Sequence, residues 1–283
     1  MLSKTLYGPT TTEPINLELI YNDGIIRGVT SQNRVLPNFI IIGEQKCGTT
    51  TLYDHLIQHP QILSALRKEI HFFDNHYNVG LNMYKAFFPT NKEIQKNGLN
   101  ITGEASPNYF HHPLVPQRIK ENLPNIKLIV LLRNPVERAY SHFIMMKNAG
   151  FETLSFEQAI EYEKQNIKEE KISWKNQHRV FNETHHPYLM RSIYVNNLKR
   201  WFEIFPRNQI LIIKSEDFKS NKAEILKKTF EFLNISSYDL SDLKNKNVAR
   251  YSSINSDTKK MLEDFFKPYN EKLYDLLNIN FDW

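Results

Sequence analysis

Phe39-Ile40-Ile41-Ile42-Gly43-Glu44-Gln45-Lys46-Cys47-Gly48-Thr49-Thr50-Thr51-Leu52 is the stretch from which the fold can be read. It opens with a short, continuous apolar run, as expected of a strand buried on both faces in a parallel sheet. Leu52 and Leu56 then recur at helical spacing, and His59-Pro60 closes the pattern. The loop between strand and helix carries Gly43 and Gly48, which permit tight turning and close backbone approach. Amide groups at a helix start, with the positive end of the helix dipole, favour an anion. Lys46 adds a charge and three threonine hydroxyls add donors, so the segment predicts a phosphate cradle. In the Gly-x-x-x-x-Gly-Lys-[Ser/Thr] nucleotide loop the lysine follows the second glycine; here Lys46 precedes Gly48. The plainer alternative is a strand–helix turn that happens to hold Lys and Thr. Position, glycines and hydroxyls together favour the cradle.

Outward from this loop the pattern repeats. Residues 126–132 read as a second buried strand, with Asn134 as helix cap, Pro135 as first helical residue and a helix to about Lys147. Ile210-Leu211-Ile212-Ile213 is a third buried run, with Asp217 as a candidate cap for a later helix. Helical periodicity covers 188–205, and also 258–277, where Pro268 interrupts it. Short strands alternating with helices predict an α/β fold, P-loop-like, with a central, mainly parallel sheet flanked by helices. Residues 1–36 read as an N-terminal arm or small hairpin, and 37–283 as one domain.

Composition narrows the class. The 283 residues carry 36 Lys and Arg against 31 Asp and Glu, a net +5. That suits an anionic ligand and is too mild and scattered to argue for nucleic acid. The single cysteine, Cys47, excludes an internal disulfide framework and a Cys-rich zinc site. The longest aliphatic stretch, Leu128 to Leu132, is far short of the roughly 20 residues of a membrane span. With a mostly polar beginning to the chain, these features predict a cytoplasmic protein. Oligomeric state is not legible.

The second strand separates two nucleotide chemistries. A nucleoside triphosphatase holds Mg²⁺ with an Asp near such a strand end. Here the strand ends in Arg133, whose fork suits a phosphate and requires no metal. Ser141, seven residues past the cap, shares its helix face, so Arg133 and Ser141 can grip one phosphate together. An ion pair of Arg133 with Glu137 is the alternative. Two separate anion grips imply a nucleotide phosphorylated at two places.

With both motifs in hand, the loop resembles the 5′-phosphosulfate loop of the sulfotransferase superfamily, and Arg133-Asn134-Pro135-Val136-Glu137-Arg138-Ala139-Tyr140-Ser141 resembles its 3′-phosphate motif. Lys68-Glu69-Ile70-His71-Phe72-Phe73-Asp74, Gly103-Glu104-Ala105-Ser106-Pro107-Asn108-Tyr109-Phe110 and Asn278-Ile279-Asn280-Phe281-Asp282-Trp283 extend the resemblance over residues 37–283, nearest the heparan sulfate N- and 3-O-sulfotransferase domains. It implies 3′-phosphoadenosine 5′-phosphosulfate (PAPS) as donor, PAP as product, no metal, and a saccharide or other small acceptor. It further implies that Lys46, Cys47, Gly48, Thr49, Thr50, Thr51, Arg133 and Ser141 hold the donor and that Arg250 closes over its 3′-phosphate. Lys46 would stabilise the leaving phosphate, Glu69 would serve as general base, and His71 and Asp74 would lie near the acceptor.

The apolar neighbours Ile70, Phe72 and Phe73 predict a raised Glu69 pKa; the alternative for Glu69 is a surface pair with Lys68 or Arg67. The sequence also departs from the relatives it resembles. Ala105 replaces a lysine, and Gln45 and Thr50 replace basic residues around the loop. The cysteine pair of their C-terminal loop is missing. A highly sulfated polysaccharide acceptor is accordingly not expected. His111-His112 and His185-His186 lack the spacing of metal ligands, and the lysine-rich segments 163–175 and 214–228 read as solvated helix faces. A small-molecule kinase and a non-catalytic nucleotide-binding protein are the competing readings.

Overall fold

The structure, a computed structural model, describes residues 27, 28, 30–96, 98, 100–168, 186–240, 243 and 253–283. Most of the N-terminal arm, Arg250 and the segment 169–175 lie outside the described residues. The chain divides into two compact units, one drawn from 13–132 and 202–248, the other from 133–201 and 249–283.

The first unit is built on five strands: β1 (Phe39–Gly43), β2 (Ile62–Ser64), β3 (Ile101–Ala105), β4 (Lys127–Leu132) and β5 (Ile210–Lys214). They pair in the order β2-β3-β1-β4-β5, every pair parallel. β1 is central and wholly buried, which is why its sequence is apolar at every position before Gly43. The helix α1 (Thr49–Leu56) follows it. Phe39 and Ile41 of β1 share one apolar core with Leu52, Tyr53 and Leu56 of α1 and with Leu226 and Phe230 of a helix over Lys222–Leu233. Truncating one such side chain to Ala costs about 2–5 kcal/mol.

β2 and β3 escape the sequence reading. β2 has three residues, and β3 reads Ile-Thr-Gly-Glu-Ala, with no apolar run. Gly103 is needed there because a Cβ would lie 2.5 Å from the Phe39 ring. Burial of Thr102 and Glu104 is balanced by hydrogen bonds: Thr102 Oγ1 donates to the Leu63 carbonyl, and Glu104 accepts from three hydroxyls.

The second unit contains the helices α2 (Pro135–Asn148), α3 (Phe156–Lys168) and α4 (Ser256–Leu277). Asn134 caps α2 as expected, its Oδ1 accepting from the amides of Val136 and Glu137. Three expectations are corrected. Pro268 does not interrupt α4, because the buried residues Leu262, Phe266, Asn270 and Leu273 form one stripe on both sides of it. That burial outweighs a proline cost of about 3 kcal/mol. Asp217 lies inside a short helix, Ser215–Ser220, and Asn221 caps the next one. The periodicity from 188 becomes regular helix only at Tyr194. The turn before it is held by Glu163, whose buried carboxylate accepts from the amides of Leu189 and Met190, and by Arg138, which donates to Ser192 Oγ and the Tyr188 carbonyl.

Candidate functional site

In a parallel sheet, loops at the carboxyl ends of the strands collect the ligand-binding groups, above all where the strand order reverses direction. β1 lies between β3 and β4, and its carboxyl-end loop is the 43–48 segment. The Glu44 amide donates to the Leu131 carbonyl of β4, and the Cys47 amide to the Glu44 carbonyl. Gly43 passes so close to Phe110 that a Cβ would stand 2.5 Å from that ring's own Cβ. Gly48, at φ 95°, is the left-handed residue from which α1 starts. Thr49, Thr50 and Thr51 therefore form its first turn, where helix amides lack intrahelical partners and the dipole is positive. The Cys47 side chain is fully buried in the core, while its carbonyl accepts from Ser215 Oγ. The Cys47 Sγ is turned to the Gln45 carbonyl within the loop. Lys46 adopts φ 72° at the turn.

The segment Arg67–Asp74 meets the same sheet end. The Glu69 amide donates to the Ala105 carbonyl at the end of β3, and the His71 amide to Ser106 Oγ. Glu69 and His71 have φ of 58° and 54°. Such left-handed conformations of ordinary residues cost about 1–3 kcal/mol each and persist where surroundings over-determine them. Here Arg67 donates to the Glu69 carbonyl, and Tyr109 OH accepts from the amides of Phe72 and Phe73. Tyr109 OH in turn donates to Glu104 Oε1, which also accepts from Tyr84 OH at 2.7 Å, while Ser106 Oγ donates to Glu104 Oε2 at 2.7 Å. One buried carboxylate thus anchors the backbone that presents Glu69 and His71. Burial pushes the Glu104 carboxyl up to about 7, against the pull of those hydroxyls.

Glu69 lies between two cations. Lys68 Nζ is 3.0 Å from its Oε1, and His71 Nε2 is 3.8 Å from its Oε2. His71 Nδ1 is 2.8 Å from Asp74 Oδ2. Burial opposes the charge on Glu69, yet His71 and Lys68 outweigh it and hold the carboxyl down to about 2. Burial likewise disfavours the imidazolium, but Asp74 and Glu69 raise His71 to about 9. The expected upward shift of Glu69 is therefore corrected. Phe72 and Phe73 turn into an aromatic cluster with Tyr84, Tyr77 and Tyr109, and the cations decide the charge. The Lys68–Glu69 pair considered as the alternative exists. The same Lys68 Nζ also donates to Thr50 Oγ1 of the loop, so Thr50 and Glu69 lie one ammonium apart.

In the second unit, Arg133 follows the last residue of β4 and directly precedes the α2 cap. Tyr194 OH donates to its carbonyl at 2.8 Å. Its guanidinium pairs with Glu137 at 3.2 Å and is 24% exposed. Ser141 is buried on α2. Sequence reasoning passed over Lys68 as a bridge and Glu104, Tyr84, Ser106 and Tyr109 as the frame. A glutamate inside a strand, two residues before a serine and five before a tyrosine, is the signal that was available.

Residues 36–267 match the family described as "Sulfotransferase domain". The chain is 32% identical to "Membrane-associated sulfotransferase kil1" of Dictyostelium discoideum, over 88% of this chain and 66% of that protein. It is 27% identical to "Heparan sulfate glucosamine 3-O-sulfotransferase 3A1" of Mus musculus, over 96% of this chain and 68% of that one. Among solved structures, a sulfotransferase from Alicyclobacillus acidocaldarius superimposes with a TM-score of 0.67 at 28% identity, covering 87% of this chain and 97% of that one. The chain thus spans about two thirds of the first two relatives' length. The expectation of a cytoplasmic protein is overturned by the Dictyostelium relative, which is membrane-associated. Among the described residues no helix is long and apolar enough to cross a membrane.

Proposed function

The chain belongs to the sulfotransferase family, and from that premise we propose that it moves the sulfuryl group of PAPS to a hydroxyl or amine of a saccharide or other small acceptor. The observation that carries this reading is the shared Lys68 ammonium, which puts the base candidate beside the loop. In the proposed roles, the amides and hydroxyls from Lys46 to Thr51 hold the 5′-phosphosulfate, and Arg133 with Ser141 holds the 3′-phosphate. Arg250 lies outside the described residues and keeps its role only as implied by resemblance. Residues 37–283 are proposed to act as one sulfotransferase domain.

Glu69 takes the proton from the acceptor oxygen or nitrogen as that atom bonds to sulfur, and the bond from sulfur to the bridging oxygen breaks. Lys46 stabilises charge on the departing 5′-phosphate. Most of the acceleration comes from in-line placement and charge stabilisation, as in phosphoryl transfer. Saccharide acceptors are favoured by the heparan sulfate relative. Incubation with sulfur-labelled PAPS and a saccharide panel tests the reading. Label is expected in an acceptor with wild type and to be absent with Lys46→Ala, whereas phosphate transfer from ATP–Mg²⁺ would replace the reading with a kinase.

A further inference from the structure

We propose that Lys68 is a positioning residue that couples donor binding to the basicity of Glu69. Its ammonium rests on the Glu69 carboxylate and on Thr50 of the loop, and a donor held by that loop draws it toward its own anionic oxygens. The inference rests on the donor reading given above.

The geometry supplies both ends of this exchange. Lys68 Nζ reaches Glu69 Oε1 at 3.0 Å and Thr50 Oγ1 in the first turn of α1. An ammonium has three donors on a flexible stem, so a change of partner needs only rotation about that stem. Both side chains are about four-fifths buried, 20% and 18% exposed, where charges are weakly screened. The groups facing Glu69 are Lys68 and His71, with Asp74 beyond His71 and Arg67 on the Glu69 carbonyl. His71 is committed to Asp74 at 2.8 Å, which leaves Lys68 as the cation able to move.

The exchange also answers a chemical difficulty. A carboxylate held down to about 2 is a poor acceptor for a hydroxyl proton, because general-base efficiency rises as the base's pKa approaches the working pH. Removing Lys68 from the carboxylate moves it in that direction only after the donor has arrived. An acceptor entering first would meet a weak base. Coupling of this kind is reciprocal: whatever loosens Glu69's hold on Lys68 must strengthen the donor's.

That reciprocity gives the test. PAP affinity is measured by titration calorimetry for wild type, Lys68→Met, Glu69→Gln and the double variant, each checked for an unchanged melting curve. Lys68→Gln replaces Lys68→Met if the latter melts early. Glu69→Gln is expected to tighten PAP binding about three- to tenfold when Lys68 is present and by less than twofold when it is not. Equal effects in both backgrounds, or no tightening with Lys68 present, would overturn the coupling, since a packing role for Lys68 produces no such dependence. A wild type that takes up no PAP overturns the donor reading itself, and the inference with it.

Discussion

At Glu69 charge decides more than surroundings do. Glu69→Gln preserves size and most hydrogen bonding but cannot take a proton. It is expected to lower kcat by about 10²-fold or more, the usual range for loss of a general base, while PAP binding tightens. Lys46→Ala should damage both PAP binding and turnover, because it acts on the donor. Steady-state kinetics with parallel calorimetry checks the pair; near-normal turnover in Glu69→Gln would contradict the base role of Glu69. His71 also makes a pH prediction. Its pKa is raised to about 9 by Asp74 and Glu69, so its contribution to stability is fully present below its unfolded value of about 6.5. That contribution is lost as pH rises through 9. Urea unfolding at pH 7 and pH 10 is expected to show wild type losing a few kcal/mol more than His71→Asn over that interval. Parallel losses in the two proteins would contradict the ionised cluster.

At the scale of elements, the join between β4 and α2 carries the 3′-phosphate hypothesis. Asn134→Ala removes an acceptor for two first-turn amides and should cost about 1 kcal/mol of stability. It should also weaken PAP binding through the loosened Arg133. Thermal unfolding and calorimetry read the two effects separately. The strand–loop–helix of β1 and α1 and the cap at Asn134 were legible because their signals are local: an apolar run, a glycine, an Asn-Pro step. β3 was not, because its burial is balanced by partners far away in sequence, Tyr84 and Phe39. Pro268 misled for a similar reason: a local breaker was outweighed by a buried stripe. In the site, residue types were readable from Lys46, Glu69 and His71, but the charge state of Glu69 was not. It depends on which way two neighbouring cations point, and no spacing rule states that.

For the whole molecule, a net charge of +5 on 283 residues fits an anionic nucleotide without singling one out; the two proposed phosphate grips are what would do so. A nucleotide that engages both proposed grips, the 43–51 loop and Arg133 with Ser141, should stabilise the fold beyond what either phosphate alone achieves. The most direct measurement is calorimetric comparison of PAP, adenosine 5′-phosphate and ATP–Mg²⁺, with and without EDTA, on wild type and Arg133→Ala. Loss of a charge-assisted bidentate contact is worth about 2–4 kcal/mol. PAP should therefore bind wild type about 30- to 1,000-fold more tightly than adenosine 5′-phosphate. EDTA should leave that ratio unchanged, and Arg133→Ala should remove most of it. Equal affinity for the two adenosine nucleotides, or a preference for ATP–Mg²⁺ that EDTA abolishes, would contradict the assignment of this chain's two grips to PAPS.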